Sequence, residues 1–125
     1  MELIFVYNAN SGIKAAVIDY FHKIVHPSTY PCHLCALTHS NIGQKKVWKD
    51  FIKKSDIKMS FYHIDDFEKK YNLKKEYPVI LKKENNNLNS FIFKKEINKM
   101  DSIDKLIAAL QSKQTLILNK RKHYL

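Results

Sequence analysis

The chain has 125 residues, 45% of them hydrophobic, and a formal net charge of +10. This length favours one domain over residues 1–125 with a real core, and the hydrophobic share is too high for a disordered protein. The sequence holds no apolar run long enough to span a bilayer, and "MELIFVYNANSG" has no secretory leader. We therefore expect a cytoplasmic protein without a membrane span, in a reducing compartment.

The positive charge does not favour nucleic acid as the partner. Almost all of it is lysine, arranged as doublets on several segments, and Arg121 is the only arginine. Arginine makes the paired contacts to guanine and phosphate that are typical of specific nucleic-acid readers. Scattered doublets indicate a solvated surface instead. A lysine face that docks an acidic partner stays an alternative.

The first predicted elements are a strand, a turn and a helix. The apolar run "LIFVY" (3–7) predicts a buried strand that ends at "NANSG". This turn has the geometry of an anion-binding loop, but a capped turn is the favoured interpretation. Apolar residues at helical spacing then predict a helix over 13–25, and two prolines predict a loop over 27–35.

The middle of the chain predicts a second helix, a strand and a short helix. Residues 57–64 have the composition of a strand. Asp65 is placed to cap the short helix that follows it. The second helix is indicated by four apolar residues at helical spacing, namely Val47, Trp48, Phe51 and Ile52.

The C-terminal half predicts a hairpin and a closing helix. Segments 79–83 and 88–95 flank the turn "ENNN" and indicate two paired strands, with Pro78 before the first. Asp101 is expected to cap the last helix, whose apolar residues repeat at i, i+3, i+4 and i+7. The tail over 114–125 is compatible with an extra strand, a helix extension or a docked end.

This order of elements predicts an α/β fold with a mixed sheet of about four strands and helices on both faces. From Trp48 onward it resembles the thioredoxin-like fold, through "MSFYHID", "DFEKKYN", "YPVIL" and the closing helix. The resemblance implies a cis Pro78 beside a dithiol. In that family the CxxC follows the first strand directly, whereas here "NANSG" takes that place and an extra helix separates strand 1 from the CxxC. The chain also resembles small uncharacterised bacterial proteins with "VYNANSG" and "STYPCxLCxLT", which implies no function.

Both cysteines lie in "HPSTYPCHLCALTH" (26–39), which makes this segment the candidate site. In a reducing compartment a CxxC pair is more often catalytic or metal-bound than a structural disulfide. If "CALTHS" begins a helical turn, amide groups and a protonated His33 favour a thiolate on Cys32. We therefore predict a thiol–disulfide oxidoreductase or a redox-responsive protein, with Cys32 as nucleophile and Cys35 as resolving thiol.

The redox hypothesis needs no cofactor and requires a protein or a small-molecule thiol or disulfide as partner. The residues expected to shape the substrate groove are Tyr30, Pro31, His33 and Pro78.

Two other interpretations of the cysteines stay open. A zinc site in a non-enzymatic binding or interaction module would take Cys32, Cys35, His39 and His26 as ligands, because His39 lies one helical turn past Cys35. Alternatively, both thiols pack inside the domain as small hydrophobic groups.

Overall fold

The structure, a computed structural model, describes residues 1–12, 32–40 and 43–124. In these residues the chain forms strands and helices in the following order: β1 (Glu2–Val6), α1 (His33–Thr38), β2 (His39–Ser40), β3 (Gly43–Gln44), α2 (Lys46–Lys54), β4 (Lys58–Tyr62), α3 (Ile64–Tyr71), β5 (Val79–Glu84), β6 (Asn87–Ile92), α4 (Lys94–Asn98) and α5 (Ile103–Tyr124).

A four-stranded mixed sheet organises the fold, in the order β4-β1-β5-β6. Strand β1 runs parallel to β4 and antiparallel to β5, so that Phe5 lies opposite Phe61 on one side and Ile80 on the other. Strands β5 and β6 form an antiparallel hairpin. This arrangement confirms the predicted mixed α/β sheet and is consistent with a thioredoxin-like α/β class. Strands β2 and β3 form a separate two-residue ladder.

Strand β1 is buried on both faces because helices cover both sides of the sheet. Leu3 and Phe5 point into a cluster with side chains of α1, α2, α4 and α5. Ile4 and Val6 point the other way, into a cluster that includes Phe67 of α3. The alternation follows from the two-residue period of a strand. The prediction of helices on both faces is therefore confirmed.

An aromatic group anchors α2 to the sheet. Trp48 has no exposed surface, and its ring lies 5.6 Å from that of Phe5 and 5.7 Å from that of Phe51. Its indole N–H has no hydrogen-bond partner among the described residues. Apolar packing therefore dominates the contribution of Trp48 to the stability of the fold. Val47 was predicted on the same buried face, but it is 44% exposed, because it lies one residue outside the stripe that faces the sheet.

The predicted hairpin is confirmed at its turn, and the end of its second strand is corrected. Asn85 and Asn86 have φ values of 51° and 68°, the left-handed pair that a two-residue hairpin turn requires. The strand predicted to reach residue 95 ends at Ile92. Helix α4 begins at Lys94, directly after its N-cap residue Phe93. The carboxylate of Glu96 accepts the N–H of Phe93 at 3.4 Å, which satisfies a backbone donor that has no partner within the helix.

Both predicted aspartate caps are wrong. Helix α3 has His63 at its N-cap position, and Asp65 lies inside the first turn. At the start of α5 the hydroxyl of Ser102 accepts the N–H of Lys105 at 3.3 Å, while Asp101 contacts the Lys105 ammonium group at 3.1 Å. In each case the helix starts one or two residues away from the aspartate, and the aspartate binds another group.

Two boundaries of the sequence prediction change, and one of the alternatives for the tail is confirmed. The end of the loop expected over 27–35 is corrected, because α1 starts at His33, while residues 27–31 lie outside the described residues. The strand expected over 57–64 is the shorter β4. The tail is a helix extension, because α5 continues through Tyr124. The predicted helix over 13–25 lies outside the described residues. Within the described ranges, no helix has the length and the apolar character needed to cross a membrane.

We predict that Trp48→Ala lowers the free energy of unfolding by about 3–5 kcal/mol, because it leaves a cavity against Phe5 and Phe51. Urea unfolding followed by far-ultraviolet circular dichroism measures the change, since the variant has no tryptophan fluorescence. Val47→Ala on the exposed side of the same helix is the control, with an expected change within about 0.5 kcal/mol. Equal losses in the two variants would contradict this account of the core.

Candidate functional site

Cys32 and Cys35 are joined by a disulfide at the start of α1. Their Cα atoms lie 5.3 Å apart, inside the range that a disulfide requires. Cys32 occupies the N-cap position, and Cys35 follows one turn later inside the helix. The predicted helical turn is therefore present, and it brings the two sulfurs together.

Two backbone amides from different parts of the chain donate to the sulfur of Cys32. The N–H of Cys35 lies 3.2 Å from Sγ, as in an N-cap contact. The N–H of Asn8, directly after β1, lies 3.3 Å from the same atom. Both donors are fixed by backbone structure, so they are oriented before any chemistry occurs.

The two cysteines differ in accessibility. Cys32 has no exposed surface and belongs to the larger hydrophobic cluster. Cys35 packs against that cluster and keeps part of its surface exposed. This difference in exposure is the reverse of the one expected if Cys32 is the attacking thiol.

His33 contacts a backbone carbonyl. Its Nε2 lies 2.5 Å from the carbonyl oxygen of Met100, between α4 and α5. A carbonyl can only accept, so Nε2 carries the proton in this contact. The side chain thereby connects α1 to the C-terminal part of the domain. Its predicted roles, in the substrate groove and in favouring a thiolate, stay predictions.

His39 follows α1 and joins a buried polar group. The Thr38 hydroxyl donates to the carbonyl of Leu34 at 2.8 Å and lies 2.8 Å from Nδ1 of His39. Because a hydroxyl has one hydrogen, Nδ1 is then the donor to Thr38. Burial raises the pKa of the neighbouring Tyr7 to about 12. Tyr7 thus stays neutral over the physiological pH range.

The zinc interpretation stays a prediction. In the part of the chain that the structure describes, no group of three or more His, Cys, Asp or Glu side chains is placed to hold a metal ion. His26 lies outside that part. Cys32 and Cys35 offer no thiolate while they form a disulfide.

The predicted groove residues are only partly described. The Tyr77–Pro78 peptide bond is cis, as the resemblance to the thioredoxin-like fold implies. Pro78 is buried directly before β5. Tyr30 and Pro31 lie outside the described residues.

The loop "NANSG" is tied to the start of α3. Asp65 accepts the backbone N–H of Ser11 at 2.9 Å and its hydroxyl at 2.5 Å, and the Ala9 carbonyl accepts the N–H of Ile64 at 2.9 Å. The hydrogen bonds from Ser11 hold the pKa of the Asp65 carboxyl group below its ordinary value. These contacts fix the loop that carries the amide of Asn8.

Sequence reasoning missed both Asn8 and Asp65 as parts of this arrangement. The available signal is the position of "NANSG" after a buried strand, a place where free amides accumulate. The amide of Asn8 is directed at a sulfur, and Asp65 accepts from a residue 54 positions away in the sequence.

No protein-family model matches the chain, and the comparisons with curated proteins and with solved structures find no match.

We predict that Ser11→Ala raises the pKa of the Asp65 carboxyl group, because the variant loses the hydroxyl donor. A depressed folded-state pKa contributes stability that is present above the unfolded-state value, near pH 4, and is lost as pH falls through the folded-state value. Ser11→Ala should therefore lose less stability on acidification than the unmodified protein.

Carboxyl carbon nuclear magnetic resonance measures the pKa of Asp65. Thermal unfolding measures the stability over about pH 2–6, the range in which carboxyl groups titrate. Ser112→Ala, on an exposed position of α5, is the matched control and should leave the pKa of Asp65 unchanged. An unchanged pKa in Ser11→Ala would show that the hydroxyl contact does not govern this carboxyl group.

Proposed function

We propose that this protein exchanges its Cys32–Cys35 disulfide with thiols or disulfides of a protein or small-molecule partner. The observation that carries the proposal is the paired CxxC at the start of α1, with two amides directed at one sulfur. Exchange requires a sulfur that a partner can reach and a second sulfur that can leave as a thiolate. The partial exposure of Cys35 and the two amides at Cys32 support these two requirements.

The exchange consists of two balanced steps. A substrate thiolate attacks one sulfur of the protein disulfide, a mixed disulfide forms, and the electron pair of the broken S–S bond goes to the other cysteine as a thiolate. A second substrate thiolate then attacks the substrate sulfur of the mixed disulfide and releases the first cysteine. The substrate dithiol becomes a disulfide, and Cys32 and Cys35 are reduced and take up the two protons. The same steps in reverse reduce a substrate disulfide.

We predict that the folded protein equilibrates with a glutathione redox buffer through the loss and gain of two thiols per chain, the two cysteines of the sequence. Quenching with an alkylating reagent at several ratios of reduced to oxidised glutathione, followed by mass spectrometry, measures the fraction of disulfide. The double variant Cys32→Ser/Cys35→Ser is the control for reagent side reactions. A disulfide that resists both reduced glutathione and dithiothreitol in the folded protein would contradict the proposal.

Elemental analysis of the reduced protein distinguishes the redox hypothesis from the zinc hypothesis. Under the redox hypothesis, the reduced protein has two alkylatable thiols and releases no metal on denaturation. Release of close to one zinc per chain, with both thiols protected before denaturation, would favour a metal site instead.

A second candidate function is docking of an acidic partner. A cavity of about 800 Å³ is lined by four lysines and two glutamates around Phe93, which is 56% exposed. None of the cysteines lines it. An exposed aromatic ring among lysines is suited to a partner with carboxylates and apolar side chains. The described lining residues are Lys75, Glu76, Val79, Ser90, Phe93, Lys94, Lys95, Glu96 and Lys99.

We predict that a glutamate-rich peptide with interspersed leucines binds this surface at low salt and dissociates as the ionic strength rises past about 0.15 M. Lys95→Glu/Lys99→Glu should weaken binding more than Lys53→Glu/Lys54→Glu, which makes the same charge change at exposed positions of α2. Fluorescence anisotropy of a labelled peptide measures the binding to each double variant and its dependence on salt. Equal weakening by the two double variants would indicate attraction by net charge without a defined surface.

A further inference from the structure

We propose that Cys35, rather than Cys32, carries the mixed disulfide with the substrate, and that Cys32 is the sulfur released when the protein disulfide is attacked. This inference rests on the proposed function, since it states which sulfur of the pair exchanges with the partner. The sequence alone favours the opposite order, because it places Cys32 at the helix start.

Accessibility selects Cys35 as the attacked sulfur. A thiolate attacks a disulfide nearly in line with the S–S bond, and which sulfur reacts depends on access. Cys32 has no exposed surface and lies in the larger hydrophobic cluster. Cys35 packs at the edge of that cluster and is partly exposed. Attack at Cys35 therefore needs less displacement of the core than attack at Cys32.

Hydrogen bonding selects Cys32 as the leaving sulfur. When the bond breaks, the electron pair goes to the sulfur that is not attacked, and donors directed at that atom stabilise its negative charge. The amides of Asn8 and Cys35 lie 3.3 Å and 3.2 Å from the sulfur of Cys32. Within the described part of the chain, no donor is directed at the sulfur of Cys35. Accessibility and hydrogen bonding thus agree that Cys35 is the attacked sulfur and Cys32 is the leaving sulfur.

The resulting step is balanced. The substrate thiolate forms an S–S bond with Cys35, the Cys32–Cys35 bond breaks, and Cys32 leaves as a thiolate that is then protonated by solvent or by the substrate. In reverse, Cys32 attacks Cys35 of the mixed disulfide and expels the substrate thiolate. Cys35 is therefore the residue that is bonded to the substrate, and Cys32 is the resolving thiol.

Adduct mapping on the unmodified protein tests the assignment. The oxidised protein is mixed with reduced glutathione, quenched in acid within the first turnover and digested, and the cysteine that carries glutathione is identified by mass spectrometry. We expect the adduct on Cys35. An adduct on Cys32 overturns the inference, although it leaves the proposed function intact.

Single-cysteine variants give an independent rate. Reduced Cys32→Ser and Cys35→Ser are each mixed with oxidised glutathione, and formation of the mixed disulfide is followed by mass spectrometry. We expect Cys32→Ser to react at least about tenfold faster, because its remaining thiol is the accessible one. Rates within about twofold of each other, or a faster Cys35→Ser, overturn the inference, since access would not then select the sulfur.

The failure of the inference is distinguishable from the failure of the proposed function. If the unmodified protein does not exchange with glutathione and neither variant forms an adduct, thiol–disulfide exchange itself is wrong. Because Cys32 is buried, Cys32→Ser is checked for folding by circular dichroism. If that variant is unfolded, adduct mapping on the unmodified protein alone decides the assignment.

Discussion

The fold depends on the burial of β1 on both of its faces. This strand pairs with β4 on one side and β5 on the other, and its side chains alternate between the two hydrophobic clusters. A one-residue slip in its pairing would exchange the two sets of side chains, so its register is strongly specified. The end of β1 is fixed as a consequence, with the N–H of Tyr7 bound to the carbonyl of Tyr62 at 3.0 Å. The amide of Asn8 comes next, so the end of β1 sets its position on one side of the contact with Cys32.

The architecture could be predicted from the sequence because its signals are local. The run before "NANSG", the helical spacing around Trp48 and the "ENNN" turn each depend on neighbouring residues only. The first residues of the helices are harder to predict in this way. Several polar residues near a boundary compete for each cap, and the prediction placed Asp65 and Asp101 there. In the folded chain Asp65 binds Ser11, and Ser102 takes the cap of α5. A contact between residues 54 positions apart leaves no local pattern in the sequence.

In the candidate site, too, the features that depend on neighbouring residues could be predicted from the sequence, and those that depend on distant contacts could not. The spacing of Cys32 and Cys35 predicts that the sulfurs can meet, since one helical turn separates them. Spacing does not indicate which sulfur faces the core. That depends on how α1 lies against the sheet and the C-terminal helices, and the contact between His33 and the Met100 carbonyl is one part of that packing. The unequal burial of two cysteines three residues apart is thus a tertiary property.

In the proposed exchange, the burial of Cys32 would also limit how long the mixed disulfide on Cys35 persists. A thiolate left in a hydrophobic cluster loses solvation, which for a buried ion costs roughly several kcal/mol after relaxation. Two amide hydrogen bonds offset part of that cost, at about 1.5–3 kcal/mol each when the acceptor is charged. In the proposed exchange, desolvation and the two amide hydrogen bonds therefore act on the Cys32 thiolate in opposite directions. With Cys35 one helical turn away, the return step of the proposed exchange would be intramolecular and would need no diffusion. In the proposed exchange, a buried, amide-bound Cys32 and a partly exposed Cys35 would therefore favour rapid release of the partner over stable attachment to it.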